Sequence, residues 1–323
     1  MAATPIDGTA LADRIKAEVK GRVQALQARG YPVHLKAVQV GENPASLAYI
    51  RSQQRSCEEL GLTYTLDQLP ADTTQAALQE HIGRLNSEPQ TTGIILQMPL
   101  PAGLDTRRAQ WSIAPAKDVE GILPEHMGKV SYGAADIGPC TAMGAFELIA
   151  GLALTPKKEI VDWVEADIAR RKLVRGLYGH HAVVVGHSDI VGKPLALLLL
   201  NNYCTVTVCH IGTVDLGAQT QQADILCVAV GRPGLVTGDM VKPGAVVIDI
   251  GINRVPALDA EGKPVLTPDG KKKMRTVGDV EFEAAQKVAS AITPVPGGVG
   301  PMTVAMLLRN TVVAAEALAR RAG

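Results

Sequence analysis

The stretch His181–Asn201, HAVVVGHSDIVGKPLALLLLN, is the strongest indication of fold in this 323-residue chain. Its first five residues are mostly β-branched and predict a strand. A glycine-bounded loop, 186–192, follows, and the leucine-rich run 193–201 predicts a helix with Pro194 in its first turn, where proline is tolerated. A strand, a glycine loop and a helix N-terminus in succession can hold a pyrophosphate. The loop spacing is G-x-S-x-x-x-G rather than G-x-G-x-x-G, so the pattern fits either a dinucleotide-binding loop or a plain βα turn.

Three more strands are predicted downstream, at 205–209, 225–230 and 245–250. Gly231 and Gly251 come directly after the last two of them. Glycines at successive strand ends keep one rim of a parallel sheet open, and ligands bind at that rim in open α/β folds. This arrangement favours the dinucleotide site over the plain turn.

The N-terminal part also alternates helix and strand. Helices are predicted at 7–29, 44–60 and 73–86, and strands at 33–40, 62–69 and 93–97. Strands that alternate with helices indicate a mostly parallel sheet, so the fold class is α/β. Between the two alternating regions, 99–131 is rich in proline and glycine and is predicted to form loops at the edge of a cleft, and 142–150 is predicted to be helical.

A second proline- and glycine-rich stretch, ITPVPGGVGPMT at 292–303, lies before a predicted final helix, 304–320. Proline fixes φ and glycine leaves the backbone bare, so a flat ligand can approach such a loop closely. The alternative interpretation is a tight turn between domains.

The bulk composition limits the function classes. Apolar residues make up 46% of the chain, and 32 Lys and Arg balance 32 Asp and Glu. A zero net charge argues against nucleic-acid and membrane-surface proteins, which carry basic patches. The five cysteines show no metal-ligand spacing, so we expect reduced thiols in a cytoplasm and no metal site.

Motifs throughout the chain resemble those of the methylenetetrahydrofolate dehydrogenase/cyclohydrolase family. In the family's order, they are GENPAS at 41–46 with Tyr49, QMPLP at 97–101, KDVEG at 117–121, PCT at 139–141, VGHSDIVGKP at 185–194, DIGIN at 249–253, VGDV at 277–280 and the Pro-Gly loop at 292–303.

The resemblance implies two domains. Residues 1–142 with 303–323 would form an α/β folate domain completed by the last helix, and 143–302 a Rossmann-type parallel-sheet nucleotide domain. Members are usually cytoplasmic homodimers. They oxidise 5,10-methylenetetrahydrofolate by hydride transfer to NAD or NADP and commonly hydrolyse the methenyl product to 10-formyltetrahydrofolate.

The resemblance also implies the site residues. Tyr49 would pack against the folate ring, Gln97 would hydrogen-bond the reacting region, and Asp118 and Glu120 would bind the substrate. Pro296, Gly297 and Gly300 would form a bare wall beside folate and nicotinamide. The residues expected at the cofactor are Gly186, His187, Ser188, Ile190, Gly192, Ile211, Val230, Gly231, Ile252 and Thr303, the last of which could also cap the final helix.

One departure from the family concerns hydrolysis, which needs an activated water and charge control. The family places a lysine four residues after the tyrosine, on the same helical face. This chain has Gln53 there, which cannot carry a proton or supply a cation. Arg51 and Arg55 should point elsewhere. We therefore expect hydride transfer, with Tyr49, Gln53, Gln97 and Glu120 at the reaction centre and cyclohydrolase activity weak or absent.

Other departures concern substrate and cofactor. Glu120 stands where the family has an aspartate that binds the pterin's amino edge, and Ala142 where it usually has proline. His187 and Ile211 stand where many NADP-using relatives place a cation and a small hydroxyl residue. Histidine is mostly neutral near pH 7, so NAD is slightly favoured and both cofactors stay open.

Two segments look longer than the family's usual connections. We interpret 157–175, within a charged helix predicted at 157–177, as an inserted surface helix and 256–275 as a hairpin, and either could instead contact a partner.

Three functions remain compatible with these residues. The first is a folate-linked dehydrogenase with reduced hydrolase activity. The second is a relative repurposed for another pterin or for a cyclic aminal or iminium substrate, as Gln53 and Glu120 would permit. The third is a non-catalytic folate or nucleotide binder. Gly186, Gly231 and Gly297 favour the enzymes, since a degraded binder would not need an intact nicotinamide cleft.

Overall fold

A computed structural model describes residues 2–42, 44–259, 261–267 and 269–322, so Asn43 of the GENPAS motif lies outside the described residues. The strands are β1 Thr4–Pro5, β2 His34–Val40, β3 Thr63–Leu69, β4 Gly93–Leu96, β5 His181–Val185, β6 Thr205–Cys209, β7 Ile225–Val228, β8 Val246–Asp249, β9 Asn253–Pro256, β10 Met274–Val277 and β11 Ala291–Ile292.

The helices begin and end close to their sequence signals. They are α1 Gly8–Ala28, α2 Pro44–Leu60, α3 Gln75–Ser87, α4 Thr106–Gln110, α5 Pro124–Ser131, α6 Cys140–Ala150, α7 Asp162–Arg171, α8 Gly192–Asn201, α9 Leu216–Thr220, α10 Phe282–Ala285 and α11 Val299–Ala322. Short 3₁₀ turns occupy Pro115–Lys117, Arg175–Leu177 and Gly238–Met240.

The chain divides into two compact units. We call residues 11–140 with 303–323 the N-terminal unit, and residues 1–10 with 141–302 the central unit. The first ten residues thus lie in a different unit from the one predicted. The reason is that β1 pairs with β11, through Thr4 with Ala291 and Pro5 with Ile292, and so extends the central sheet.

The N-terminal unit contains a three-stranded parallel sheet in the order β3-β2-β4. One apolar cluster packs α3 and the segment after β4 against this sheet; it includes Val38, Leu78, Ile82, Ile94 and Ile113. The N-terminus of α3 is capped by Thr74, whose hydroxyl accepts a hydrogen bond from Ala77 N at 3.2 Å. The parallel sheet predicted from the alternating pattern is present.

The central unit contains a six-stranded parallel sheet in the order β1-β11-β8-β7-β5-β6. Its core consists of aliphatic side chains such as Val183, Leu226 and Val247, all fully buried. The strand order reverses at β5, which lies between β6 and β7, and this reversal opens a crevice at the carboxyl ends of the strands. The sheet therefore has the parallel, doubly wound character predicted for the nucleotide domain.

Two predictions need correction. The segment 99–131 contains α4 and α5 and is not only loops. The charged helix predicted at 157–177 is limited to α7, because Lys172 adopts a left-handed conformation (φ 55°) and Leu173 N closes back onto the Ile168 carbonyl. The hairpin predicted at 256–275 is present, since β9 and β10 pair antiparallel.

The last helix, α11, begins at Val299, five residues before its predicted start. By length and composition alone, 299–321 could cross a membrane, but about two-thirds of this stretch is buried within the protein. Met302, Ala305, Met306 and Leu308 are all completely or almost completely covered. The helix is therefore apolar because it is a core helix.

Candidate functional site

A polar cluster in the N-terminal unit consists of Tyr49, Gln53, Tyr64 and Gln97. Tyr49 and Gln53 are four residues apart on α2 and so share a face, Tyr64 lies on β3, and Gln97 follows β4. Gln53 is completely buried. Its Oε1 accepts hydrogen bonds from Gln97 Nε2 at 2.8 Å and from the Tyr64 hydroxyl at 3.3 Å. Within the described part of the chain, Gln53 Nε2 has no hydrogen-bond partner.

Tyr49 is 37% exposed, so its ring is accessible for stacking. Desolvation of the hydroxyl raises the pKa of Tyr49 well above its usual value, and the nearby Cys140 and Glu120 raise it further, whereas the side chain of Gln53 partly offsets the rise. The phenol is therefore protonated at neutral pH. The structure thus brings Tyr49, Gln53 and Gln97 together, with Glu120 close enough to affect Tyr49.

The segment 117–121 supplies the acidic side chains near this cluster. Asp118 is 1% exposed, and its carboxylate accepts hydrogen bonds from Gly121 N at 3.0 Å and Leu123 N at 2.9 Å. Burial raises the pKa of Asp118, and these backbone donors partly offset the rise. Asp118 therefore shapes the loop that carries Glu120, a role that differs from direct substrate binding.

Glu120 is half-buried. Burial of its carboxyl group and repulsion from Asp118 raise the pKa of Glu120 to about 8. At neutral pH this residue consequently carries a proton and can donate a hydrogen bond, unlike an ionised carboxylate. Lys117 is not a free cation beside it, because Lys117 Nζ donates to the carbonyls of Leu85 at 2.8 Å and Glu88 at 2.6 Å.

Asn310 on α11 fixes the backbone beneath Glu120. The side chain is fully buried, and its Nδ2 donates to the Val119 carbonyl at 2.9 Å and to the Gly138 carbonyl at 3.0 Å. Cys140 Sγ also donates to the Val119 carbonyl at 3.4 Å. The sequence around Asn310 marks it only as one of several polar residues on a largely apolar helix.

The arginines that flank Gln53 do not replace the missing cation. Arg51 is exposed, and Arg55 forms an ion pair with Glu59 at 2.8 Å, with 82% of the arginine side chain in solvent. Both observations agree with the expectation that these side chains point away from the buried face of α2.

In the central unit, the carboxyl ends of the strands form a second candidate site, which we call the strand-end rim: 186–192, 230–231, 249–252 and Asp279. Gly186 has φ +113°, and a Cβ there would lie 2.2 Å from the Ala229 carbonyl oxygen. Only glycine fits this position. The loop beyond it is exposed at His187, Ser188 and Ile190 and leads into the N-terminus of α8, where an anion is favoured.

Two buried aspartates hold the rest of the rim. Asp249 accepts hydrogen bonds from the backbone of Gly251, Asp279 and Val280, at 2.9 to 3.1 Å. Asp279 in turn accepts from Val230 N at 2.6 Å and Gly231 N at 2.8 Å. Burial raises the pKa of Asp249 to about 6. These bonds fix the loops that follow β7 and β8.

Several exposed side chains at or next to the rim are apolar, and two are imidazoles. Val230, Ile252 and Ile211 are 46%, 65% and 98% exposed, and they offer apolar surface to a ligand. The rings of His187 and His210 are 5.0 Å apart. The pairing of His187 with His210 was not predicted from the sequence.

The Pro-Gly loop of the central unit borders a cavity of about 140 Å³. Its lining includes Pro296, Gly297 and Gly300 together with Ile252 of the rim. Gly297 has φ +106°, and its carbonyl accepts a hydrogen bond from Gly8 N at 3.0 Å. Pro296, Gly297 and Gly300 therefore border one cavity, and Gly300 belongs to the first turn of α11. Thr303 lies in the second turn and consequently does not cap the helix.

The residues present fit a dinucleotide. Gly186 brings two strand ends into backbone contact, the loop before α8 is open to solvent, and apolar side chains and a small cavity line the same rim. The sequence did not assign roles to Tyr64, Asp279 or Asn310. Asp279 stood within a recognised motif, but no sequence signal marked Tyr64.

Comparison with known proteins agrees with this geometry. Residues 6–120 match the family model "Tetrahydrofolate dehydrogenase/cyclohydrolase, catalytic domain", and 166–319 match its NAD(P)-binding domain. The "Bifunctional protein FolD" of Moorella thermoacetica is 46% identical over 316 residues, which cover 98% of this chain and 100% of that protein.

Solved structures show the same similarity. The bifunctional FolD enzyme of Campylobacter jejuni is 40% identical, with a TM-score of 0.81 over 98% of this chain and 99% of that one. The Trypanosoma brucei enzyme, solved with an NADP cofactor and an inhibitor, is 35% identical, with a TM-score of 0.81 over 99% of each chain.

Proposed function

The chain belongs to the tetrahydrofolate dehydrogenase/cyclohydrolase family, and we propose that it oxidises 5,10-methylenetetrahydrofolate with NAD⁺ or NADP⁺ while its cyclohydrolase activity is weak or absent. The dehydrogenase part follows the activity of the similar Campylobacter jejuni enzyme, a methylenetetrahydrofolate dehydrogenase/cyclohydrolase. The methylene carbon loses a hydride, which is a hydrogen with both bonding electrons, and the product is a cation delocalised over the two flanking nitrogens. The dinucleotide, when bound, accepts that hydride.

Folate binding is assigned to the N-terminal unit and NAD(P) binding to the central unit. Because the reacting carbon is already activated, the protein needs to orient it and exclude water more than to supply acid or base. Tyr49 offers a protonated, accessible ring for stacking, and Gln97 is held by its bond to Gln53. Glu120, protonated at neutral pH, donates a hydrogen bond to the pterin edge.

The burial and neutrality of Gln53 carry the proposal of weak hydrolysis. Hydrolysis of the methenyl product needs a group that can move a proton or stabilise charge beside the carbon that water attacks. Gln53 does neither. Arg51 and Arg55, which flank it in sequence, are exposed, and Lys117 is held by the carbonyls of Leu85 and Glu88.

The proposal is tested by assaying one preparation twice. With methylenetetrahydrofolate and each dinucleotide, we expect reduced dinucleotide to form at a rate typical of an enzyme. With methenyltetrahydrofolate, we expect hydrolysis no faster than about twice the rate without enzyme. Brisk enzyme-dependent hydrolysis would refute the second part, and no reduction of either dinucleotide would refute the first.

We further propose that the enzyme is a cytoplasmic homodimer that acts on small molecules and binds neither nucleic acid nor membranes. All five cysteines are free and buried, which suits a reducing compartment. The formal net charge of zero offers no general attraction to polyanions. Light scattering of the purified protein checks the dimer.

A further inference from the structure

Tyr64 is the one member of the polar cluster that neither the sequence motifs nor the family comparison assigns to the site. It lies on β3, opposite Leu35 of β2, and its side chain is half-buried. Its hydroxyl donates to Gln53 Oε1 at 3.3 Å. Burial raises the pKa of Tyr64 well above its usual value, so the phenol keeps its proton and remains a donor.

The geometry determines how the Gln53 amide is oriented. Two donors, the Tyr64 hydroxyl and Gln97 Nε2, converge on Oε1. An amide that accepts two hydrogen bonds at its oxygen presents its NH₂ group on the other side, and exchanging the two ends would set that group against the Gln97 NH₂. Gln53 Nε2 is that NH₂ group. It lies near the Tyr49 hydroxyl and lowers the pKa of Tyr49, but it is buried without a hydrogen bond of normal geometry within the described residues.

A buried, unpaired N–H group is costly, and native proteins rarely keep one without a reason. This one lies on the α2 face that also carries Tyr49. A ligand that offers an acceptor atom there would remove the cost and gain a hydrogen bond in a desolvated place.

We propose that Tyr64 is a positioning residue for the substrate site: together with Gln97, it fixes the Gln53 amide so that Nε2 donates to an acceptor oxygen or nitrogen at the reacting end of the bound folate. The inference rests on the proposed folate function. It gives Gln53 a binding role in place of the charge it lacks. Gln53 is then part of a coupled set of three side chains and not simply a lost lysine.

A double-mutant cycle tests the coupling between Tyr64 and Gln53. Y64F removes only the hydroxyl, and Q53M removes the amide at similar length. We expect Y64F to raise the KM for methylenetetrahydrofolate about five-fold with kcat changed less than two-fold. In the Q53M background, the same change should alter KM less than two-fold. Equal effects in both backgrounds, or no effect of Y64F alone, would overturn the proposal.

The matched control is Y203F, which deletes a tyrosine hydroxyl that donates to Asp167 at 2.8 Å in the central unit. It should leave the folate KM unchanged. If Y64F does not fold, Q53E replaces it, since a carboxylate still accepts from Tyr64 and Gln97 but has no N–H to offer. An unchanged folate KM in Q53E would overturn the proposal, and a rise of about five-fold or more would support it.

Tetrahydrofolate binding, measured by calorimetry on the same variants, separates this inference from the proposed function. If the wild-type protein reduces neither dinucleotide, the proposed reaction fails. The inference then stands if Y64F weakens tetrahydrofolate binding about five-fold only in the Gln53 background, and it falls if that weakening is absent or independent of Gln53.

Discussion

The strand-end rim and the polar cluster are built from different parts of the chain. In the rim, the carboxylates of Asp249 and Asp279 hold backbone N–H groups, and the outward side chains take little part. In the polar cluster, Gln53, Tyr64 and Gln97 hold one another through side chains alone. We therefore expect substitutions on the outside of the rim, such as at His187, to leave its shape intact, and a substitution in the cluster to change what the site can do.

The largest expected effect comes from removing the Asp279 carboxylate, which holds the loops of the strand-end rim. Asp279→Ala leaves the N–H groups of Val230 and Gly231 without their acceptor and leaves the Asn253 amide only the Gly278 carbonyl. Since Asp279 is fully buried, we expect the free energy of unfolding to fall by about 3–5 kcal/mol and NAD(P) binding to be lost. Urea unfolding and dinucleotide titration measure the two effects.

Asp269→Ala is the control for that change, because Asp269 lies on the exposed segment between β9 and β10 and pairs only with solvent-accessible groups. It should unfold like the wild-type protein. If Asp279→Ala matched this control, the rim backbone would be self-supporting, and the proposed contrast with the polar cluster would be wrong.

The next largest effect concerns pH and Glu120. The pKa of a glutamate is ordinarily about 4.5, the value expected in the unfolded chain, and that of Glu120 is about 8 in the folded chain. Between these values the unfolded chain is ionised while the folded chain holds the proton, so unfolding releases a proton and stability falls as pH rises. In the wild-type protein we expect Glu120 to lower the free energy of unfolding by about 2–4 kcal/mol between pH 5 and 8. In Glu120→Gln that fall should be absent. Urea unfolding at pH 5, 6.5 and 8 measures the slope.

Glu125→Gln serves as the control, since Glu125 is an exposed residue of α5. It should keep the wild-type slope. A Glu120→Gln protein with the same slope would show that the carboxyl group is ionised in the folded state, and Glu120 would then resemble the family's aspartate in charge.

The same contrast explains what the sequence could predict. The rim follows from local rules: β-branched strands, glycines at their ends and helix starts predicted its elements within a few residues. The parallel sheets followed from the alternation of strands and helices. The placement of Tyr49 and Gln53 on one face of α2 also followed from a local rule, the i, i+4 spacing.

The rest depends on contacts between segments distant in sequence. Tyr64 meets Gln53 through the packing of α2 on β3, and Asn310 reaches Val119 across 191 residues of chain. Neither contact leaves a recognisable pattern in the local sequence. The extra turn of α11 was missed because proline and glycine were interpreted as loop residues, although Gly300 and Pro301 fit the first turn of a helix.

Replacing Gln53 with the lysine that the family places there tests the contribution of the polar cluster to hydrolysis. We expect Gln53→Lys to raise methenyltetrahydrofolate hydrolysis about ten-fold, because an ammonium beside the carbon can stabilise the charge that develops during attack by water. Lysine offers no acceptor to Tyr64 and Gln97, so the gain should remain partial. The control Gln54→Lys adds the same charge to an exposed position on α2 and should change nothing. Equal gains in both variants would point to general electrostatics.

The smallest expected effect lies on the outside of the rim. His187 is exposed beside His210, with ring centroids 5.0 Å apart. His187→Arg supplies a permanent cation with a geometry suited to phosphate, so we expect the KM for NADP to fall about five-fold and the KM for NAD to stay within two-fold. Gln222→Arg adds the same charge at another exposed position of the central unit and should alter neither. A fall in both KM values with His187→Arg would mean that the new cation attracts the dinucleotide as a whole. A fall for NADP alone would locate the 2′-phosphate at His187 and would show that the rim accepts a change of specificity without a change of shape.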